Sequence, residues 1–298
     1  SIMGSGATAF VYNGKFNPSR YLSLLQKFKI NVLCCTPTEY RMMAKLDNLD
    51  KYNLDHLHSA VSAGEPLNRE VVEQFRKHFN LTVRDGYGQT ESTLLIGFLK
   101  DTEQRPGSMG KAIPGSCVAV VDDEGNKVDT NVKGNIALPL DFPGLFKGYF
   151  KDEKRTKDAH AGDYYITGDL AHIDEDGYFW FEGRRDDIII SSGYTIGPFE
   201  VEDALTNHEA VKECAVVASP HPIRGNIVKA FIILKEGYKP SDDLVKELQT
   251  FSKKVVAPYK YPRAIEFVED LPKTNSGKIR RVELREAERT KHNNSQNK

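Results

Sequence analysis

Between Arg20 and Phe28 the apolar residues Leu22, Leu25 and Phe28, with Leu24 beside them, recur at helical spacing, and Asn31 to Thr36 follows as a short buried-strand pattern. The alternation repeats. Leu57 to Ala63 reads as a second strand, Asn68 opens a helix with Val71, Val72, Phe75 and Phe79 on one face, and Leu81 to Arg84 reads as a third strand. Strands alternating with helices predict a mostly parallel sheet, in which ligands bind just beyond the carboxyl ends of the strands. Gly64-Glu65-Pro66 follows the second strand and Asp85-Gly86-Tyr87-Gly88 follows the third, so these two loops are the expected ligand-binding places.

From about Gly107 to Phe181 the pattern changes to short alternating strands punctuated by Gly and Pro, among them Val118 to Val121 and Gly134 to Leu138, with a turn at Asp123-Glu124-Gly125. This predicts a β-rich, barrel-like part. Beyond Asp186 a small α+β unit is expected, with a helix near Phe199 to Leu205 entered by Pro198, strands at Ala210 to Ala218 and Val228 to Lys235, and a helix from Ser241 to Val255. The resulting division is a large α/β and β-rich domain over 1–185, its parallel part reaching about 105 and its barrel-like part covering about 106–185, followed by a small domain over 186–298. The polar, Asn-rich stretch from Thr290 has nothing to bury and predicts a disordered tail.

Composition narrows the function classes. With 41 basic against 42 acidic residues and a net charge of −1, the chain offers no global field to gather nucleic acid or an anionic membrane. The apolar runs Ile188-Ile189-Ile190 and Ala230 to Leu234 are far shorter than the roughly 20 residues of a membrane span, which predicts no such span. Cys34, Cys35, Cys117 and Cys214 form neither a CxxC pair nor a disulfide framework, so a reducing, cytoplasmic setting is expected. The opening Ser1-Ile2-Met3-Gly4 reads as the middle of a domain, which predicts a fragment of a longer protein.

Four motifs occur in order: Tyr87-Gly88-Gln89-Thr90-Glu91, Tyr165-Ile166-Thr167-Gly168-Asp169-Leu170, Gly183-Arg184-Arg185-Asp186-Asp187, and Pro272-Lys273-Thr274-Asn275-Ser276-Gly277-Lys278. Each alone is weak, since such residues mark turns everywhere. Thr90 and Glu91 also suit a helix N-cap and first turn, Asp169 a turn leading into a strand, Arg184 a surface ion pair, and Lys278 a solvated turn. Together, in this order, they resemble the adenylate-forming enzymes that activate carboxylic acids with ATP, the superfamily of acyl- and aryl-CoA synthetases, peptide-synthetase adenylation domains and luciferases. The medium-chain acyl-CoA synthetases are the most similar. A P-loop reading of the last motif fails, because Pro272 stands where the first glycine is required and Ile279 where Ser or Thr should follow the lysine.

The resemblance implies ATP, Mg²⁺, coenzyme A and a small carboxylic acid as the molecules handled. Tyr87 offers a face to a purine, Gly86 and Gly88 allow close backbone approach, and Gly64-Glu65-Pro66 forms the opposite wall, with Asp85 and Gln89 completing the AMP site. Thr90 is implied to meet the α-phosphate and Glu91 to hold Mg²⁺. Asp169, acceptor-only when ionised, is suited to a ribose diol, with Arg184 reaching the same sugar. Asp186 occupies the position of an interdomain hinge, and Lys278 is the lysine that stabilises charge during adenylation, carried on a mobile loop. Ser192, Gly193, Tyr194, Arg224 and Lys253 match positions along the coenzyme A path.

The chain departs from this pattern in two places. A Ser-Gly-Thr-Thr-Gly-like loop for the β- and γ-phosphates is missing from the sequence, and Thr195 stands where relatives usually carry Arg. At Gly88, acetate-specific relatives place Trp, so an acyl group larger than acetyl is expected. The alternatives are an aryl-CoA ligase of the benzoate type and a non-catalytic nucleotide-binding module. An adenylation domain serving a carrier protein is disfavoured, because no carrier domain follows the tail.

Overall fold

The computed structural model describes residues 4–274 and 278–296. The chain forms two compact units: one runs to Gly88 and includes Gly97–Gly110, and the other comprises Gln89–Ile96 and the chain from Lys111 onward.

The first unit is an alternation of helices and parallel strands: α1 (Pro18–Lys27), β1 (Val32–Cys35), α2 (Pro37–Ala44), β2 (Ser59–Ala63), α3 (Arg69–Phe79) and β3 (Val83–Gly88). Asn17 caps α1 by accepting the Arg20 N–H at 2.9 Å, and Pro18 takes the first helical position, where a missing N–H costs nothing. The helix α2, absent from the sequence reading, begins where a strand was expected to end. Thr36 and Glu39 form a reciprocal capping box and Pro37 sets the first turn. Val71, Val72 and Phe75 of α3 are buried as the spacing predicts. They pack with Leu22, Met43 and Tyr40, whose ring meets Phe75 edge-on at 5.2 Å.

One boundary is corrected. The residues Asp85 to Gly88 are not a loop after the third strand but its last four residues, since β3 runs from Val83 to Gly88. The parallel register with β2 continues through Ser62↔Asp85 and Ala63↔Gly86, and Phe98 N–H donates to the Asp85 carbonyl at 3.3 Å. With backbone groups engaged on both edges, the two glycines do not end the strand.

The short strands β4 (Leu94–Gly97) and β5 (Gly110–Ala112) lie where the chain changes unit. The second unit continues with β6 (Ala119–Val121), β7 (Gly134–Pro139), α4 (Glu153–Asp158), β8 (His160–Ala161), β9 (Tyr164–Ile173) and β10 (Tyr178–Arg184). The strands β6, β7, β9 and β10 pair antiparallel in the order β10-β9-β7-β6, with β8 on β9. A single 3₁₀ turn, Arg185–Asp187, leads into β11 (Ile189–Ser191) and β12 (Tyr194–Ile196). Then come α5 (Pro198–Thr206), β13 (Val211–His221), β14 (Gly225–Leu234), α6 (Asp242–Val255), β15 (Ala264–Phe267) and α7 (Arg281–Gln296).

The small sheet has the order β12-β11-β14-β13, with β15 parallel to β14. Its core joins Val201 and Leu205 of α5 with Val216, Ala230 and Ile232 of the sheet and Leu248 of α6. The tail expectation is also corrected, because α7 carries the chain as helix from Arg281 through Gln296. Glu288 of α7 is 5% exposed, accepting from Lys229 at 2.8 Å and from Ser219 at 2.8 Å, contacts that give a polar helix something to bury.

Gly197, which precedes α5, shows how closely the elements approach: a Cβ built there would lie 2.0 Å from the Glu182 carbonyl oxygen of β10. Backbone cannot yield as a flexible side chain does. Gly197→Ala should therefore destabilise the second unit by about 1–3 kcal/mol, seen as a lower midpoint in urea melts. A wild-type midpoint would contradict that close approach.

Candidate active site

Two of the predicted groups are built within single units. In the first unit, the β2–β3 register ends at Ala63↔Gly86, so Gly64 leaves β2 beside the strand that carries Tyr87 and Gly88. Gly64 takes a φ of +100°, a backbone conformation that side-chain-bearing residues avoid. Glu65 is held from α2: its Oε2 accepts from Thr38 at 3.0 Å and from Arg41 at 3.1 Å, while Arg41 also donates to Asn68 at 2.9 Å. The Asp85 carboxylate accepts from Gly86 N at 3.0 Å and Leu67 N at 3.4 Å, which ties the chain following Pro66 to β3.

Asp85 retains some accessible surface but is densely surrounded by protein, and burial pushes its carboxyl up to about 7 against the lowering effect of those two N–H groups. An unfolded Asp titrates near 3.9. Between about pH 4 and 7 the folded state keeps a proton that the unfolded state has lost, so stability falls as pH rises through that window, by up to ~1.4 kcal/mol per pH unit, and levels off above it. Asp85→Asn should flatten the slope, melting higher than wild type at pH 8 and close to it at pH 4.5. Parallel slopes in the two proteins would refute the shift.

In the second unit, β9 carries Asp169 at an irregularity. Ile166 faces Ala137 of β7 and Leu170 faces Asn135, so four steps along β9 match two along β7. Gly168 adopts φ +79°, Thr167 donates to the Ile136 carbonyl at 2.9 Å, and Asp169 N donates to Thr167 Oγ1 at 3.2 Å. Bulges of this kind re-aim a side chain. A second irregularity in β10, between Phe181 and Gly183, brings Arg184 directly opposite Asp169, with Arg184 Nε 3.9 Å from Asp169 Oδ1. Asp169 is 6% exposed, and Gln89 donates from Nε2 to its Oδ2 at 2.7 Å and to the Thr167 carbonyl at 3.0 Å. A carboxyl group this deep is accommodated only with such polar partners.

The same group includes Glu91, whose Oε1 accepts from the Tyr149 hydroxyl at 3.0 Å, and Tyr165, which donates to Gln89 Oε1 at 3.3 Å. Burial, followed by Tyr149, Glu91 and Asp169, raises the Tyr165 phenol well above its ordinary range, so it serves as a donor. Thr90 is exposed, and no helix follows it for it to cap: a turn closed by Ser92 N on the Gln89 carbonyl at 3.1 Å leads into β4. Tyr149 and Tyr165 were assigned no role from sequence. Tyr165 sits inside the second motif, whereas Tyr149 meets Glu91 across 58 residues with no local signal.

Lys278 is exposed beside an antiparallel bridge between Lys273 and Ile279, and Thr274 N donates to the Lys278 carbonyl at 2.8 Å. Among the described residues, no hydrogen bond or ion pair joins it to Thr90, Glu91, Asp169 or Arg184. Asn275, Ser276 and Gly277 of the predicted mobile loop lie outside the described residues. Asp186 occupies the 3₁₀ turn between β10 and β11, and its neighbour Asp187 pairs with Arg285 of α7.

Of the predicted coenzyme A positions, Ser192 (φ +50°) and Gly193 (φ +83°) form the β11–β12 turn, where Arg224 donates to Ser192 Oγ at 2.9 Å. Tyr194 stacks on Tyr259 at 4.4 Å, and Lys253 lies over Tyr261 at 4.0 Å. Thr195 pairs with Ile190 and is exposed. Among the described residues, no three His, Cys, Asp or Glu side chains gather as a metal cage, and no helix is long and apolar enough to cross a membrane. A single carboxylate such as Glu91 still fits Mg²⁺, which commonly takes one or two carboxylates together with substrate phosphates.

Residues 1–150 match the family model described as AMP-binding enzyme, and residues 200–278 match that described as AMP-binding enzyme C-terminal domain. The uncharacterized acyl–CoA ligase YtcI of Bacillus subtilis is 63% identical over 97% of the chain and 54% of its own length. The mitochondrial acyl-coenzyme A synthetase ACSM3 of Mus musculus is 50% identical over 95% of the chain and 50% of its own length. Among solved structures, an anthranilate CoA ligase in complex with anthranoyl-AMP superposes with a TM-score of 0.87 at 35% identity, covering 95% of the chain and 55% of that structure. A benzoate CoA ligase from Burkholderia xenovorans gives 0.84 at 32% identity, covering 95% and 57%. The chain thus spans about half the length of the curated relatives it matches.

Proposed function

The chain belongs to the AMP-binding enzyme family, and from that premise we propose that the protein is an AMP-forming acyl-CoA synthetase, joining a carboxylic acid larger than acetate to coenzyme A through an acyl-AMP. The observation that carries this reading is the placement of Asp169 opposite Arg184 across β9 and β10, with Gln89 of the first motif bound to the Asp169 carboxylate. Three separate motifs meet at one carboxylate. That arrangement suits a ribose diol: the carboxylate accepts from the hydroxyls while the guanidinium contacts the sugar oxygens.

In this reading the carboxylic acid attacks the α-phosphorus of ATP, pyrophosphate leaves, and the thiol of coenzyme A then displaces AMP from the mixed anhydride. Tyr87, Gly86 and Gly88 face the purine, with Gly64, Glu65, Pro66 and Asp85 around it. Thr90 contacts the α-phosphate. Glu91 would hold Mg²⁺, which when bound neutralises phosphate charge, and Tyr149 fixes the Glu91 carboxylate for that task. Lys278 stabilises the charge that develops between carboxylate and α-phosphate, with Asp186 as the hinge that delivers it. The turn of Ser192, Gly193 and Tyr194, with Arg224 and Lys253, lies along the coenzyme A path. The four cysteines are all free, which favours a reducing, cytoplasmic setting.

The likeness to benzoate and anthranilate CoA ligases favours, as a second reading, an aryl substrate in the same site. The test is acid-dependent pyrophosphate release by the protein expressed from its native gene, with ATP, Mg²⁺ and a panel of acetate, butanoate, octanoate, dodecanoate and benzoate. Release with octanoate or butanoate and little with acetate is expected. Release with benzoate alone selects the aryl reading, and nucleotide binding without release from any acid selects a non-catalytic module.

A further inference from the structure

Lys278 lies within a segment fastened at both ends. On the near side, Lys273 donates to Glu213 Oε2 of β13 at 2.7 Å. On the far side, Arg281 makes a two-pronged contact with Glu202 of α5, Nε to Oε1 at 3.0 Å and one terminal nitrogen to Oε2 at 2.6 Å. Glu202 is 6% exposed, and its Oε1 also accepts the Val216 N–H of β13 at 2.8 Å. Between the anchors, Arg280 N donates to the Pro272 carbonyl at 2.8 Å and Lys278 N to Thr274 Oγ1 at 3.1 Å. Ile279 packs with Ala215, Val217, Phe231 and Leu271, so the residue next to Lys278 is plugged into an apolar cluster.

Core stability alone does not call for a buried carboxylate here, since an apolar pair of similar volume commonly serves as well or better. A bidentate ion pair does supply a fixed direction. We propose that Glu202, through Arg281, and Glu213, through Lys273, are positioning residues that hold the bridged stretches on either side of Lys278 in one register on β13, so that the lysine is aimed before ATP arrives. The inference rests on the reading of Lys278 as the adenylation lysine. Neither glutamate touches substrate; both act through Lys273 and Arg281.

The test separates the two half-reactions in the protein expressed from its native gene: acid-dependent exchange of pyrophosphate into ATP, and thioester formation from supplied acyl-AMP and coenzyme A. Lys278→Ala, Glu202→Gln, Lys273→Met and Lys273→Arg are compared. Misaiming a catalytic group by about 1 Å costs on the order of 100-fold. Glu202→Gln should therefore lose about 100-fold in adenylation and Lys273→Met about tenfold, with thioester formation within about threefold of wild type. Lys273→Arg, which keeps the ion pair to Glu213, should recover most of the loss. If Glu202→Gln fails to fold, the Lys273 pair decides the matter alone.

Equal loss of both half-reactions in the anchor variants would reduce the anchors to fold stability and overturn the inference. So would wild-type adenylation in those variants beside an inactive Lys278→Ala. Intact adenylation in Lys278→Ala would instead remove the premise, and the inference with it.

Discussion

Asp169→Ala in the protein expressed from its native gene should weaken AMP binding by roughly 100- to 1000-fold, with a matching rise in the KM for ATP. The size follows from the chemistry of the contact. A hydrogen bond to a charged group contributes about 1.5–3 kcal/mol, and a ribose diol presents two hydroxyls to one carboxylate. Removing the carboxylate also leaves the Gln89 amide without its 2.7 Å acceptor and Arg184 without a facing anion. Asp169→Asn is the sharper comparison, because it preserves volume and one acceptor while discarding the charge. It should fall between Ala and wild type, whereas 2′-deoxy-AMP should lose affinity for wild type and almost none for Asp169→Ala. Titration calorimetry of wild type and Asp169→Ala with AMP and 2′-deoxy-AMP reads all four combinations. Equal sensitivity of both proteins to the missing hydroxyl would place the ribose elsewhere.

How much of that site could be read from the chain differs by element. The apolar face of α3 was legible because Val71, Val72 and Phe75 bury themselves at helical spacing against a single core. The motifs were legible as residue strings, but the geometry that brings them together was not. Asp169 faces Arg184 only because β9 and β10 each depart from regular pairing, and the glycines involved, Gly168 and Gly183, look in sequence like those of ordinary turns. The continuation of β3 into Gly86 was hidden for a related cause: parallel pairing with β2 overrides the weak strand preference of glycine.

Long-range polar contacts were the least visible. The stretch from Thr290 reads as disordered by composition, yet α7 runs on to Gln296, and its earlier part is tied by Arg281 to Glu202 across 79 residues and by Glu288 to Lys229 across 59. A local reading of hydrophobicity has no access to partners at that separation. Tyr149 and Arg41 were overlooked for the same reason, since each matters through the carboxylate it holds, Glu91 or Glu65, rather than through its own surroundings.

Lys278→Ala should lower adenylation by about 1000-fold while leaving thioester formation from supplied acyl-AMP within a few-fold of wild type. The asymmetry is chemical. During adenylation negative charge is shared among the incoming carboxylate, the α-phosphate and the departing pyrophosphate, and removing one well-placed donor from such a centre costs on the order of 100- to 1000-fold. In the second step a thiol attacks a carbonyl and the leaving group is AMP, so a cation aimed at the carboxylate–phosphate junction is no longer needed. Lys278 is suited to the first task by its exposure near the Lys273 tie to β13, where an ammonium on a flexible stem can enter and leave. Lys278→Arg should recover little of the lost rate, since the wider planar guanidinium cannot take the place of a compact ammonium at a crowded phosphorus. Separate half-reaction rates for the Ala and Arg variants test both statements: equal loss in the two steps would move Lys278 from catalysis to folding, and full activity of Lys278→Arg would make charge alone sufficient.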